Sequence, residues 1–337
     1  MDIQTALTRL VGGSSLTEAE MQSVMQRLMA GDLTPAQIGA FLVALRVKGE
    51  TVDEITGAAR AMRAAAQRVH LRAPVVVDTC GTGGDRRGTF NISTAAACIA
   101  AGAGLTVAKH GNRAMSGTVG GADVLEALGV RIDLPAERVA ACIDTVGIGF
   151  LFAQVFHPAM RHAAGPRREL GLRTVFNLLG PLSNPAGAHH QVVGVFAAEW
   201  TEPMAQALSR LGARHALVVH GDDGLDEISL AAATQVSEWQ DGRLRTYRIT
   251  PEDFGFRRCS DEALQGGTRE AAADIIRAVL AGAVGPRSDI AVLNAAAAIY
   301  VGGLAPSIDA GIDRAREAVR SGRARHKLQQ LIEFTNQ

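Results

Sequence analysis

The sequence predicts an α/β protein in which a small all-helical N-terminal subdomain precedes a larger α/β domain with a central, mostly parallel sheet flanked by helices. Three observations carry that expectation. The first 70 residues hold helix caps and helical periodicity with no strand candidate, and the texture changes at Pro74. From there short apolar strands alternate with helical patterns, which is the order of a largely parallel sheet.

In the N-terminal part, Thr17 with Glu20 and Thr51 with Glu54 form capping boxes, each threonine capping backbone N–H groups while the glutamate reaches back. Thr34 precedes Pro35, a cap followed by a first-turn proline. Ile38, Phe41, Leu42 and Leu45 recur at helical spacing and give one buried stripe. The subdomain boundary is placed after residue 72, with 73–337 as the α/β domain.

Strands are expected at 75–77, 105–108, 148–152, 191–196 and 215–219, with a helix from about 93 and others at 122–128, 135–145 and 202–211. Residues 239–245 cross a turn signal at Asp241-Gly242 and read as a hairpin. After Thr268 the pattern is helical again. No Pro-rich linker or repeat separates the parts, so they are expected to pack directly together.

Composition narrows the function classes. Lys+Arg and Asp+Glu are equal at 34 each, which gives no broad nucleic-acid footprint. The four cysteines lack CxxC spacing and read as isolated reduced thiols of a cytoplasmic protein. The N-terminus has no signal-peptide pattern, and the longest apolar stretch, 95–108, is too short for a membrane span. No membrane or nucleic-acid partner is expected. Asn91-Ile92-Ser93 matches a glycosylation acceptor that has no meaning without secretion.

Three loops carry chemistry. Gly81-Thr82-Gly83-Gly84-Asp85 follows a strand and precedes a helix, where glycines let backbone N–H groups approach phosphate oxygens. Thr89, Asn91, Ser93 and Thr94 add side-chain donors at the next helix start. Arg86 stands where G-x-G-x-x-G needs its third glycine and no GK[ST] follows, so dinucleotide and Walker-type binding are disfavoured. Lys109-His110-Gly111-Asn112-Arg113, read as a loop after the second strand, places two cations on the same sheet edge. Asp222, Asp223, Asp226 and Glu227 put four carboxylates into one turn, which resembles a hard-cation site of the magnesium type and does not match an EF-hand. Taken singly, each loop also reads as a solvated turn; together on one edge they favour pyrophosphate chemistry.

The ordered segments DTCGTGGD (78–85), TFNIST (89–94), KHGNR (109–113), GADVLEALG (121–129), HPAM (157–160), RRELGLRTVFNLLGPLSNP (167–185) and GLDE (224–227), with LNAAAAIYV (293–301), resemble the anthranilate phosphoribosyltransferase family over essentially the whole chain. The resemblance implies transfer of phosphoribose from phosphoribosyl pyrophosphate to anthranilate in tryptophan biosynthesis, with two magnesium ions per subunit when that substrate is bound. It implies that the helical subdomain mediates homodimerisation and receives residues of about 167–187.

By the same resemblance Gly81, Gly84, Asp85, Thr89, Asn91, Ile92, Ser93 and Thr94 hold phosphoribosyl pyrophosphate. Lys109, His110, Gly111, Asn112, Arg113, Ala114, Met115, Ser116 and Gly117 form a second loop over it, with Gly121 nearby. Ser93 and Glu227 serve one magnesium and Asp226 with Glu227 the other, while Gly81, Asn112 and Arg167 contact anthranilate. Arginine suits a planar carboxylate. No nucleophile–base pair is implied; His110 alone among the histidines is placed near the acceptor, to orient it or to serve the structure.

Arg86, Gly117 and Gly121 depart from the commonest family residues, glycine at the first and serine at the other two. Arg86 and Arg87 are expected in solvent. A pyrimidine nucleoside phosphorylase would need a KHSTGG-like loop where this chain has KHGNRAMSG, and a nucleic-acid-binding relative would gain basic surface. These motifs leave association with anthranilate synthase or its glutamine amidotransferase open.

Overall fold

The computed structural model describes residues 1–85, 87–114 and 119–337. Four helices come first: α1 (Ile3–Val11), α2 (Glu18–Ala30), α3 (Pro35–Lys48) and α4 (Val52–Ala65). Thr17, Thr34 and Thr51 all cap as capping boxes, the middle one completed by Gln37. Glu54 does more than cap. Fully buried, it also accepts from Leu16 N–H at 2.9 Å and from Lys48 Nζ at 2.8 Å, tying three chain segments together. Gly57 on α4 lies against the α2 backbone, where a methyl would overlap the Glu18 carbonyl.

The rest alternates. In order come β1 (Val77–Gly81), α5 (Ile92–Gly102), β2 (Val107–Gly111), α6 (Gly121–Leu128), α7 (Ala136–Val146), β3 (Ile148–Phe152), α8 (Ala153–Phe156), α9 (Arg161–Leu170) and α10 (Phe176–Leu182). Then follow β4 (His190–Gly194), α11 (Thr201–Arg210), β5 (His215–Gly221), β6 (Thr234–Gln240), β7 (Arg243–Ile249), α12 (Arg269–Leu280), α13 (Pro286–Val301), α14 (Ile308–Arg320) and α15 (Arg323–Thr335). The sheet order is β3-β2-β1-β4-β5-β6-β7. β1 to β5 are parallel and the β6–β7 hairpin is antiparallel. Its two-residue turn has Asp241 and Gly242 at φ 51° and 77°, the left-handed pair such hairpins require.

Two large cores flank the sheet. One face packs on α5, α6 and α12 to α15. The other packs on α11, and the same core runs on into α1 to α4 and into α9 and α10. The helical and α/β parts therefore meet without a linker, and residues 161–182 fold back onto α2, α3 and α4.

β4 ends at Gly194, short of the expected 196, β5 runs on to Gly221 past 219, and the first two strands also differ. β1 starts at Val77 and not at 75, and β2 starts at Val107 and runs through His110 to Gly111. Lys109 and His110, expected in a loop, are strand residues only 5% exposed. The later ends of β1 and β2 have one cause: these strands contain Asp78, Lys109 and His110, buried polar residues that periodicity assigns to loops. Asp78 is compatible with a central strand because it accepts from His110 N–H at 3.1 Å and from Asn184 Nδ2 at 2.8 Å.

Candidate active site

With β2 on one side of β1 and β4 on the other, the chain reverses its winding direction between β1 and β4. Crevices outside the carboxyl ends of strands at such a switch are where open α/β sheets bind ligands. The two strands end in glycines, Gly81 and Gly194, paired in register. Neither has room for a side chain. A methyl on Gly194 would stand 1.5 Å from the Asp226 carbonyl oxygen, and one on Gly81 2.5 Å from Asp226 Oδ2. The acidic loop between β5 and β6 is thus pressed into the switch point itself.

Asp226 Oδ2 accepts from Gly83 N–H at 2.9 Å, and Glu227 Oε1 accepts from Ser93 N–H at 3.0 Å. Burial raises both carboxyl pKa values, and neighbouring carboxylates raise them further, Asp85 for Asp226 and Asp226 for Glu227. Lys109 opposes the shift at Glu227. Its Nζ donates to Thr79 O at 2.6 Å and to Ser93 Oγ at 3.0 Å, which fixes the cation beneath the start of α5.

The other two carboxylates of the loop are turned elsewhere. Asp222 pairs with Arg248 of β7, and Asp223 accepts from Ser229 Oγ at 2.6 Å and Leu225 N–H at 3.2 Å. The four-carboxylate cation site read from the sequence reduces to a pair. Among the described residues no three His, Cys, Asp or Glu side chains gather as a complete metal cage. Two hydrogen-bonded carboxylates that are reluctant to ionise without a cation fit magnesium, which takes its remaining ligands from phosphates and water.

At the helix start, Asn91 adopts a left-handed φ of 67°. It accepts from the Thr94 hydroxyl and donates from Nδ2 to Val119 O at 3.4 Å. Gly121 opens α6 close by: a methyl there would come 3.6 Å from Asn91 Oδ1 and 3.7 Å from Thr94 Oγ1. Ile92 is fully buried in the core, so only its backbone can face a ligand. Thr89 bridges to Gln265, which steadies the strand-to-helix passage.

Not every candidate points into this crevice. Arg113 forks onto Asp123 at 3.0 Å and onto Glu126, and Asp123 also accepts from Ala114 N–H. The Arg113 guanidinium is therefore committed to α6. Asn112 is exposed, its Oδ1 accepting from Arg113 N–H at 2.8 Å. Met115, Ser116, Gly117 and Arg86 lie outside the described residues. Arg87, expected in solvent, instead pairs with Asp261 at 2.8 Å, so residues 87–89 are latched to the segment before α12.

His110 Nε2 lies 3.2 Å from His157 Nε2. Burial and the neighbouring ring push the His110 pKa down to about 3, and burial pushes His157 down to about 4, so both rings are neutral at pH 7. Arg167 stacks over Phe176 with 5.0 Å to the ring centroid, and burial lowers its pKa. Among the described residues no carboxylate pairs with it. Arg173, absent from the sequence-based candidates, stacks over Phe196 at 4.5 Å and donates to Gly84 O. It ties the segment carrying Arg167 to the glycine loop. Its sequence signal is its place in the family-like segment 167–185, where it is a cation in the short link between α9 and α10.

The chain matches the glycosyl transferase family helical bundle domain over residues 4–66 and that family's a/b domain over residues 73–325. It is 55% identical to anthranilate phosphoribosyltransferase of Thioalkalivibrio sulfidiphilus over 99% of both chains. To that of Alkalilimnicola ehrlichii it is 53% identical over 100% of both. Among solved structures, anthranilate phosphoribosyltransferase of Thermus thermophilus superposes with TM-score 0.94 at 48% identity, covering 98% of this chain and 99% of that one. The Saccharomyces cerevisiae enzyme in complex with PRPP and Mg superposes with TM-score 0.90 at 28% identity, covering 99% and 98%. The chain belongs to the anthranilate phosphoribosyltransferase family.

Proposed function

We propose that the chain carries out its family's reaction in the crevice between β1 and β4: transfer of the phosphoribosyl group of phosphoribosyl pyrophosphate to anthranilate, the second step of tryptophan biosynthesis from chorismate. The products are N-(5-phosphoribosyl)anthranilate and pyrophosphate. The observation that carries the site assignment is the seating of Asp226 and Glu227 against Gly81, Gly83 and Ser93 at the sheet's switch point.

In this reading Gly81, Gly84 and Asp85, with Thr89 and the start of α5 from Asn91 to Thr94, bind the phosphates, while the N–H groups of Thr82 and Gly83 hold Gly194 O and Asp226 Oδ2. Lys109 and the start of α6 at Gly121 close the other side, and Arg113 contributes through its backbone. Ser93 and Glu227 hold one magnesium, Asp226 and Glu227 a second, both in the presence of the pyrophosphate substrate. Magnesium, when bound, neutralises charge on the departing pyrophosphate.

The chain's own part is positioning and electrostatics. Lys109, already desolvated and held at two oxygens, needs no reorganisation as negative charge leaves the ribose. The half-buried Arg167 guanidinium receives the anthranilate carboxylate, with Gly81 and Asn112 beside it. The aniline nitrogen attacks as the neutral amine, so no strong base is needed, and neutral His110 and His157 suit an acceptor site that must not protonate that amine. The displacement has oxocarbenium character and inverts the anomeric carbon.

Residues 1–72, receiving about 167–187, form the homodimer interface, which light scattering tests directly. No helix of the described residues is long and apolar enough to cross a membrane, and a cytoplasmic location accords with the reaction. The activity is tested by the loss of anthranilate fluorescence on mixing protein, phosphoribosyl pyrophosphate and magnesium. Decay that requires all three and stops with EDTA is the expected result; a folded protein giving no decay refutes the reading.

A further inference from the structure

The 293–301 stretch inside α13 is almost wholly small or apolar, and Asn294 interrupts it. That side chain is 2% exposed and faces the acidic loop. Its Oδ1 accepts from Ile228 N–H at 2.9 Å, and its Nδ2 donates to Ile228 O at 2.9 Å. The remaining Nδ2 hydrogen goes to Ile290 O, one turn back, at 2.9 Å. Every hydrogen of the amide is used, and both backbone groups of Ile228 are paired as a neighbouring strand would pair them.

Ile228 directly follows the two carboxylates. The first of the two, Asp226, is itself pressed onto Gly194 and held by Gly83 N–H. The loop is therefore gripped at Asp226 and at Ile228, on either side of Glu227. Burying an amide inside an apolar helix carries a desolvation cost that a leucine there would not. What the amide provides is a fixed backbone at Ile228, and through it a fixed Glu227.

We infer that Asn294 is a positioning residue for the Asp226–Glu227 pair, setting the carboxylates in place to receive the magnesium that accompanies the pyrophosphate substrate. The inference rests on the assignment of those carboxylates to the metal. Groups that orient ligating carboxylates typically change metal affinity by about 10–100-fold when removed.

The test is Mn²⁺ binding in the presence of phosphoribosyl pyrophosphate, followed by the electron paramagnetic resonance signal of the free ion, on wild type, Asn294→Ala, Asn294→Ser and Glu227→Gln. Asn294→Ala is expected to weaken Mn²⁺ binding about tenfold or more, while the anthranilate KM stays within about twofold of wild type. Asn294→Ser, whose hydroxyl is too short to reach Ile228, is expected to weaken binding as the alanine variant does; it carries the test if the alanine variant does not fold. Wild-type Mn²⁺ affinity in the Asn294 variants, even with a lowered melting temperature, overturns the positioning role while a weakened Glu227→Gln leaves the carboxylate assignment standing. Unchanged affinity in Glu227→Gln overturns the assignment and the inference together.

Discussion

Gly194→Ala is the smallest change that should disable this protein. A methyl at that position starts 1.5 Å from the Asp226 carbonyl oxygen, and real side chains come no nearer than 3.0 Å, so the acidic loop must retreat by about that difference. Retreat carries both carboxylates with it. Misplacing catalytic groups by about 1 Å costs on the order of a hundredfold in rate, about 2.7 kcal/mol of transition-state stabilisation. Overpacking adds a stability loss of about 1–3 kcal/mol. The assay is the initial rate of anthranilate fluorescence decay at saturating substrates, with a thermal melt alongside. Gly121→Ser is the companion: a methyl there meets nothing nearer than 3.6 Å, so near-normal turnover is expected. Turnover in Gly194→Ala within about threefold of wild type, where about a hundredfold loss is expected, would show that the carboxylates do not need the seat described.

Three further outcomes follow from the same geometry. Arg167→Ala should raise the anthranilate KM by about tenfold or more, the worth of a charge-assisted hydrogen bond, with a far smaller change for phosphoribosyl pyrophosphate; equal changes would remove its acceptor role. Gly57→Ala drives a methyl into the Glu18 carbonyl and should lower stability by about 1–3 kcal/mol while leaving both KM values alone, as a thermal melt and steady-state kinetics would reveal. Asp226 and Glu227 have raised folded-state pKa values, so the stability they lend is complete below the ordinary carboxylate range and is lost as pH rises through the folded values. Metal-free protein should therefore lose melting temperature between about pH 5 and pH 8 relative to the Asp226→Asn/Glu227→Gln variant, and identical pH profiles would contradict the electrostatics.

Legibility in the sequence follows the locality of the interaction. The capping boxes at Thr17 and Thr51 are complete within four residues and can be read as such. β3 is a wholly buried apolar run, the form parallel strands take in sequence, and β4 and β5 keep that form in their centres, Val192-Val193 and Ala216 to Val219, between polar ends. β1 and β2 escape the pattern because their functional ends are polar, and polarity alone cannot distinguish a buried lysine from an exposed one. Asp222 and Asp223 cannot be separated from Asp226 and Glu227 by sequence, since Arg248 and Ser229 decide which way they turn. Arg87 reads as solvated because its partner, Asp261, lies far along the chain. Arg173 and Asn294 are long-range grips, set in segments whose local pattern says only link or helix.

The switch between β1 and β4 also joins segments that lie far apart along the chain. The glycine loop, Ser93 and Lys109 precede β4 in the chain, and the acidic pair comes after β5. Domains fold as units, and α5, which carries Ser93, packs on α12 to α15 beyond the acidic pair. Two carboxylates that would be costly to bury alone therefore meet their donors only as the whole α/β domain closes. A chain interrupted before Asp226 holds the phosphate-facing half of the site and none of its acidic half.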